Sequence, residues 1–137
     1  MRRKNRNVKN SLPRAILLVG PTGSGKTPLG EAAARSGLWG RRCRHFDFGE
    51  NLRRAASPAR PKTFRLTGTN LAVICRSLAT GALLEDSEFP TAARIFKGFL
   101  RAARPGPGDL ILLNGLPRHP GQAEKMDRLV DVIAVVE

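Results

Sequence analysis

Between the apolar run Ala15-Ile16-Leu17-Leu18-Val19 and the helix-like stretch Pro28–Arg35 stands Gly20-Pro21-Thr22-Gly23-Ser24-Gly25-Lys26-Thr27. A short apolar run, a glycine-rich turn and a helix, in that order, make a strand–loop–helix unit, the building block of parallel α/β sheets. Glycines at 20, 23 and 25 let the backbone turn tightly and aim successive N–H groups at one point. A helix starting near Gly25 adds the positive end of its dipole there. Such a turn suits a polyphosphate. Gly20, Gly23, Ser24 and Gly25 would surround it, Lys26 would reach its outer phosphates as a mobile charge, and the Thr27 hydroxyl would ligate Mg²⁺. Eight positions in register, with the right flanks, outweigh the reading as a chance glycine turn.

Composition bounds the rest. A chain of 137 residues suffices for one domain with one core. At 41% hydrophobic and 26% charged it reads as globular. No apolar run approaches the roughly 20 residues that a membrane span needs. The basic start Met1-Arg2-Arg3-Lys4 imitates the head of a signal peptide, but the apolar run after it is short and already serves as the strand before the loop. The expected location is therefore cytoplasmic, with no membrane partner. A net charge of +13 admits nucleic acid as a partner. Most of that charge is scattered arginine, and the one concentrated cluster, residues 2–9, has no aromatic interleaving. A solvated tail and surface is the better reading, and nucleic acid is not an expected partner. Cys43 and Cys75 lack metal-ligand spacing and read as buried thiols.

Along the chain, residues 1–13 read as a basic, mobile tail. Strands are expected at 15–19, 44–48, 110–113 and 132–136. Helices are expected from about Gly25 to Arg35, from near Glu50 to Ser57, and from Thr69 to just before Gly81. In the last of these Leu71, Ile74, Cys75 and Leu78 form the inner face. Ser87 would cap a further helix whose face is Ile95, Phe96, Phe99, Leu100 and Ala103. A final helix from about Pro120 would turn Met126, Leu129 and Val130 inward. Residues 57–68 read as loop. Strands alternating with helices predict a parallel α/β sheet.

Three separated segments resemble the adenylate kinase family of nucleoside monophosphate kinases. One is the P-loop at 20–27. The second is Phe46-Asp47-Phe48-Gly49-Glu50-Asn51-Leu52-Arg53, similar to the family's segment after strand 2. The third is Asn114-Gly115-Leu116-Pro117-Arg118-His119-Pro120-Gly121-Gln122, similar to the family's Asp-Gly-Phe-Pro-Arg-x-x-x-Gln signature. Gly81-Ala82-Leu83-Leu84 resembles the stretch that lies against the acceptor base. The resemblance implies a P-loop NTPase-type three-layer α/β/α sandwich over 14–137, with 49–90 as the acceptor-nucleotide region. It implies Mg²⁺-dependent transfer of the γ-phosphoryl group of ATP to a nucleoside monophosphate, with AMP first among acceptors. Lys26 and Arg118 would be catalytic. Arg53 and Arg118 would clamp the acceptor phosphate, Gln122 would bond its base, and Leu84 would pack near it. Thr27, and Asn114 through water, would hold the metal.

The chain departs from the family pattern at three places. Asn114 replaces an Asp that helps to hold Mg²⁺, and an amide carries no charge. Phe48 replaces a small Thr near the acceptor base. The chain ends right after its fourth strand, so the expectation is a fold lacking its C-terminal part, including an arginine-bearing lid. In the family's strand order, 2-3-1-4-5, strand 4 would then be a bare edge that invites self-association in an otherwise monomeric chain. Two alternatives to the enzyme stand: a nucleotide-binding module or fragment with impaired catalysis, and another small-molecule P-loop kinase. The spacing of Arg118 and Gln122 argues against the latter.

Overall fold

The computed structural model describes residues 12–20, 25–118 and 120–137. The expected tail lies outside the described residues up to residue 11. Leu12 and Pro13 are half-buried, and the Pro13 carbonyl accepts a hydrogen bond from the Asp131 N–H at 2.9 Å. Four strands are described: β1 (Arg14–Leu18), β2 (Cys43–Asp47), β3 (Leu110–Asn114) and β4 (Asp131–Val136). The helices are α1 (Lys26–Ser36), α2 (Phe48–Ala56), α3 (Gly68–Thr80), α4 (Phe89–Ala103) and α5 (Pro120–Met126). The chain divides into two compact units, one made of Met1–His45 with Pro105–Glu137 and the other of Phe46–Arg104.

The first unit carries an all-parallel four-stranded sheet in the order β2-β3-β1-β4. As the strand order implied by the resemblance leads one to expect, β4 is at an edge among the described residues. All five residues of β3 are buried, as befits an apolar run flanked on both sides. In register, Ile16 of β1 lies opposite Leu112, and Leu18 opposite Asn114. β1 also pairs with β4, with a register shift between Ala15 and Ile16. Ile16, Leu18, Ala33, Cys43, Leu110 and Leu112 form one buried cluster, so α1 lies against the sheet through its alanine side. Gly30 is what permits that approach to β2: a Cβ there would stand 2.4 Å from His45 Nε2. At the far end of β3, the Asp109 carboxylate accepts hydrogen bonds from Arg42 Nη2 and from the Gly106 N–H, both at 2.9 Å. Between α1 and β2 the chain reverses at Leu38–Arg41, where the two end residues exchange hydrogen bonds of 3.0 and 2.8 Å. Both central residues have positive φ, Trp39 at 52° and Gly40 at 71°, which defines the mirror-image turn favoured in two-residue hairpins. Trp39 is 70% exposed.

The second unit is helical. Asp47 is the N-cap of α2, its carboxylate accepting from the Glu50 N–H at 3.1 Å, so this helix starts at Phe48, ahead of the expected position. Phe46 meets Phe96 and Phe99 edge-on, each with ring centroids 5.0 Å away. Within the expected 57–68 loop, Lys62–Phe64 forms a 3₁₀ turn that buries Phe64. Gly98 of α4 allows the contact, because a Cβ there would lie 2.6 Å from Phe64 Cα.

Three details of this unit correct the sequence reading. The buried stripe of α3 is Asn70, Ile74 and Ser77, whereas Leu78 and Cys75 are exposed. Hydrogen bonds explain that rotation. Thr67 and Asn70 cap each other, Asn70 Nδ2 donates to Thr91 Oγ1 at 3.0 Å, and Ser77 Oγ donates to the Ala82 carbonyl at 2.7 Å. Satisfied polar groups tolerate burial well. Cys75 is therefore not a buried thiol, although Cys43 is. Ser87 sits inside a 3₁₀ turn, Asp86–Glu88, and α4 begins after it without a side-chain cap.

Candidate functional site

β1 delivers the chain to the glycine-rich loop, and α1 leaves it. Gly20 has φ 152° and Gly25 has φ 94°, conformations that a residue with a Cβ rarely adopts. These two glycines are where the turn begins and where the helix is capped. Gly23 and Ser24 lie outside the described residues. Lys26 is half-buried, and its Nζ donates to the Gly20 carbonyl, closing the loop across its base. Thr27 is exposed on the first turn of α1.

β3 brings the second component. Asn114, its last residue, is 5% exposed, and Asn114 Nδ2 donates to Thr27 Oγ1 at 3.0 Å. The structure thus joins two residues 87 positions apart that the sequence assigns to one metal. A Mg²⁺ ion takes oxygen donors, and a hydroxyl that ligates it wants an acceptor for its own proton. Here the neighbour is an amide, and its N–H faces the hydroxyl oxygen. Among the described residues, no cluster of three or more His, Cys, Asp or Glu side chains could hold a metal ion.

Beyond β3 the chain turns at Gly115, with φ 90°. Arg118 Nε donates to the Gly115 carbonyl at 3.0 Å, and the Arg118 N–H donates to Gln122 Oε1 at the same distance. Gln122 is only 3% exposed. Its amide oxygen thus holds the backbone of Arg118, a use that the sequence reading did not assign to it. His119 lies outside the described residues. A cavity of about 50 Å³ is lined by Gly25 and Lys26 of the motif together with Val19, Leu29, Val136 and Glu137.

The other two expected acceptor residues belong to the helical unit. Arg53 is exposed on α2. A Cβ at Gly49 would lie 3.5 Å from both Arg53 Nη1 and Asp47 Oδ1, an ordinary contact distance, so the guanidinium does not require glycine there. Leu84 is buried. Phe48 is buried as well, its ring centroid 6.2 Å from that of Phe46, and so belongs to the unit's aromatic core.

Groups with displaced pKa values serve the scaffold. Asp109 is held below the usual aspartate range by the Arg42 hydrogen bonds, then by the Gly106 N–H. Glu88 is lowered by the Glu85 N–H and, more weakly, by Arg76. Burial pushes the Cys43 thiol up.

No family model and no curated protein matches the chain. No helix among the described residues is long and apolar enough to cross a membrane.

Proposed function

We propose that the chain is a P-loop phosphotransferase of the nucleoside monophosphate kinase type, with ATP at residues 20–27 as donor and AMP or a related monophosphate as acceptor. One observation carries this reading. Gly20 and Gly25 bracket the turn in positive-φ conformations, Lys26 Nζ bonds the Gly20 carbonyl, and a central-strand residue, Asn114, meets Thr27 from the side. Ligands of α/β sheets bind beyond the C-terminal ends of the strands, where β1 and β3 end at these residues.

The chemistry requires positioning and charge neutralisation more than covalent help, because the acceptor phosphate is already an anionic nucleophile. Lys26, once it exchanges the Gly20 carbonyl for a phosphate oxygen, places a mobile charge on the donor. Arg118 and Arg53 offer planar forks that match phosphate oxygens bidentately. Gln122 fixes the backbone that carries Arg118.

A second reading, a nucleotide-binding module without catalysis, draws on the neutral Asn114–Thr27 pair. One assay separates the two. Purified chain is incubated with ATP, MgCl₂ and each nucleoside monophosphate in turn, and diphosphates are quantified against Lys26→Ala. Diphosphate that disappears in the variant establishes the transferase and names its acceptor. A folded protein that binds ATP and makes no diphosphate establishes the module.

A further inference from the structure

Every charged side chain of α4 is a cation, and neither 51–84 nor 89–108 contains an Asp or Glu. On a helix, Arg94, Lys97 and Arg101 fall within about 60° of arc, and Arg104, the C-cap, continues the stripe to a length of about 15 Å. The opposite face of α4, with Ile95 and Phe96, is buried. The 3₁₀ turn at Lys62–Phe64 packs along the same helix at Gly98. Arg94 and Arg101 donate from Nη1 to the Arg65 and Thr63 carbonyls, which brings the exposed Lys62 and Arg65 beside the stripe. Six cations that look scattered along the chain thus share one region of surface. The nearest acids in sequence, Glu85, Asp86 and Glu88, precede α4, and Glu88 pairs with Arg76. Among the described residues, none of the six cations has a carboxylate partner.

A surface of one sign concentrates polyanions. We propose that it docks the phosphate backbone of a double-stranded nucleic acid, held by charge and without reading bases. A duplex presents about nine phosphate charges over 15 Å of its axis, enough to meet all six cations. Single strands are held by stacking bases on exposed aromatic rings, and here Phe64, Phe89 and Phe96 are buried. An anionic membrane is bound by helices that also insert apolar side chains. The exposed large apolar residues of this unit, Leu78 and Leu83, stand outside α4 and the 3₁₀ turn. Arg94 and Arg101, each anchored through one nitrogen, keep their other N–H groups for phosphate oxygens.

The test is a fluorescence-anisotropy titration of the full chain into short labelled RNA and DNA duplexes, with their single strands and phosphatidylserine vesicles alongside. Wild-type affinity for at least one duplex will fall about 10²–10³-fold between about 50 and 200 mM salt, as about four to six phosphate contacts require. The tighter of the two duplexes names the partner. Lys97→Glu with Arg104→Glu, both at exposed positions, will weaken binding about tenfold or more and flatten the logarithmic salt slope by about two. Arg35→Glu with Arg128→Glu lowers the net charge by the same amount in the other unit and will stay within about threefold of wild type. Equal loss in the two pairs overturns the assignment to this surface. Wild-type protein that binds neither duplex, or binds without salt dependence, overturns the proposal. So does tighter binding to the single strands, or binding to the vesicles alone. Where the Glu pair does not fold by circular dichroism, Lys97→Gln with Arg104→Gln takes its place, and the same change in slope decides.

Discussion

β3 and β4 have similar compositions and opposite environments. Both are short, both are mostly apolar, and both hydrogen-bond to β1. Every residue of β3 is buried, while Ile133, Val135 and Val136 of β4 are 44%, 55% and 39% exposed. The distinction arises from rank in the sheet. β3 has β2 on its other side, and β4 is the last strand in the order among the described residues. An apolar run thus announces a strand, and only its place in the order says how much it buries. It also shows where the molecule is vulnerable, since an apolar edge is a template for pairing with another chain.

The largest break in this comparison is expected at the centre of β3. Leu112→Ala removes a fully buried side chain from the sheet core and will cost about 2–5 kcal/mol in urea unfolding. Loss below about 1 kcal/mol would mean that the core around β3 collapses around the gap. Gly30→Ala comes next. Its methyl would collide with the His45 ring, and separating α1 from β2 will cost about 1–3 kcal/mol.

Asp109→Asn sharpens the picture at the start of β3, with a loss of about 1 kcal/mol at neutral pH. The native carboxyl has a lowered pKa, so its contribution is fully present above the unfolded value near 3.9 and fades as pH falls through the native one. Wild type and variant should therefore differ above about pH 5 and converge towards pH 2. A gap that persists in strong acid would assign the effect to something other than ionisation. Smallest is Val135→Thr on β4, expected within about 0.5 kcal/mol of wild type, with any concentration-dependent association seen in light scattering reduced.

Strands β1, β3 and β4 were legible as apolar runs of the right length, whereas β2, Cys43-Arg44-His45-Phe46-Asp47, is mostly polar. The order of β1 to β4 followed the resemblance, and the loop glycines announced themselves by spacing. What the sequence hid was decided by polar groups with distant or local partners. Asn70 and Ser77 displaced Leu78 and Cys75 from the buried side of α3 because hydrogen bonds to Thr91 and Ala82 satisfy them. Asp47 caps α2 through its bond to the Glu50 N–H, which moves the start of that helix ahead of the expected position. At the candidate site, the spacing of Arg118 and Gln122 was visible, but not that the Gln122 oxygen would be spent on the Arg118 backbone. Nor could the sequence say which atom of Asn114 would face Thr27, since that depends on how the end of β3 meets α1.

The hairpin between α1 and β2 has a consequence for the bench. Trp39 at its tip is the chain's single tryptophan, and there is no tyrosine. Intrinsic emission therefore comes from one indole that already stands in water at 70% exposure. Its spectrum should be red-shifted in the native protein and should change little when the sheet melts. An optical melt followed at that wavelength would look flat while β3 comes apart. Far-ultraviolet circular dichroism, which reads the backbone, is the signal that will follow this fold.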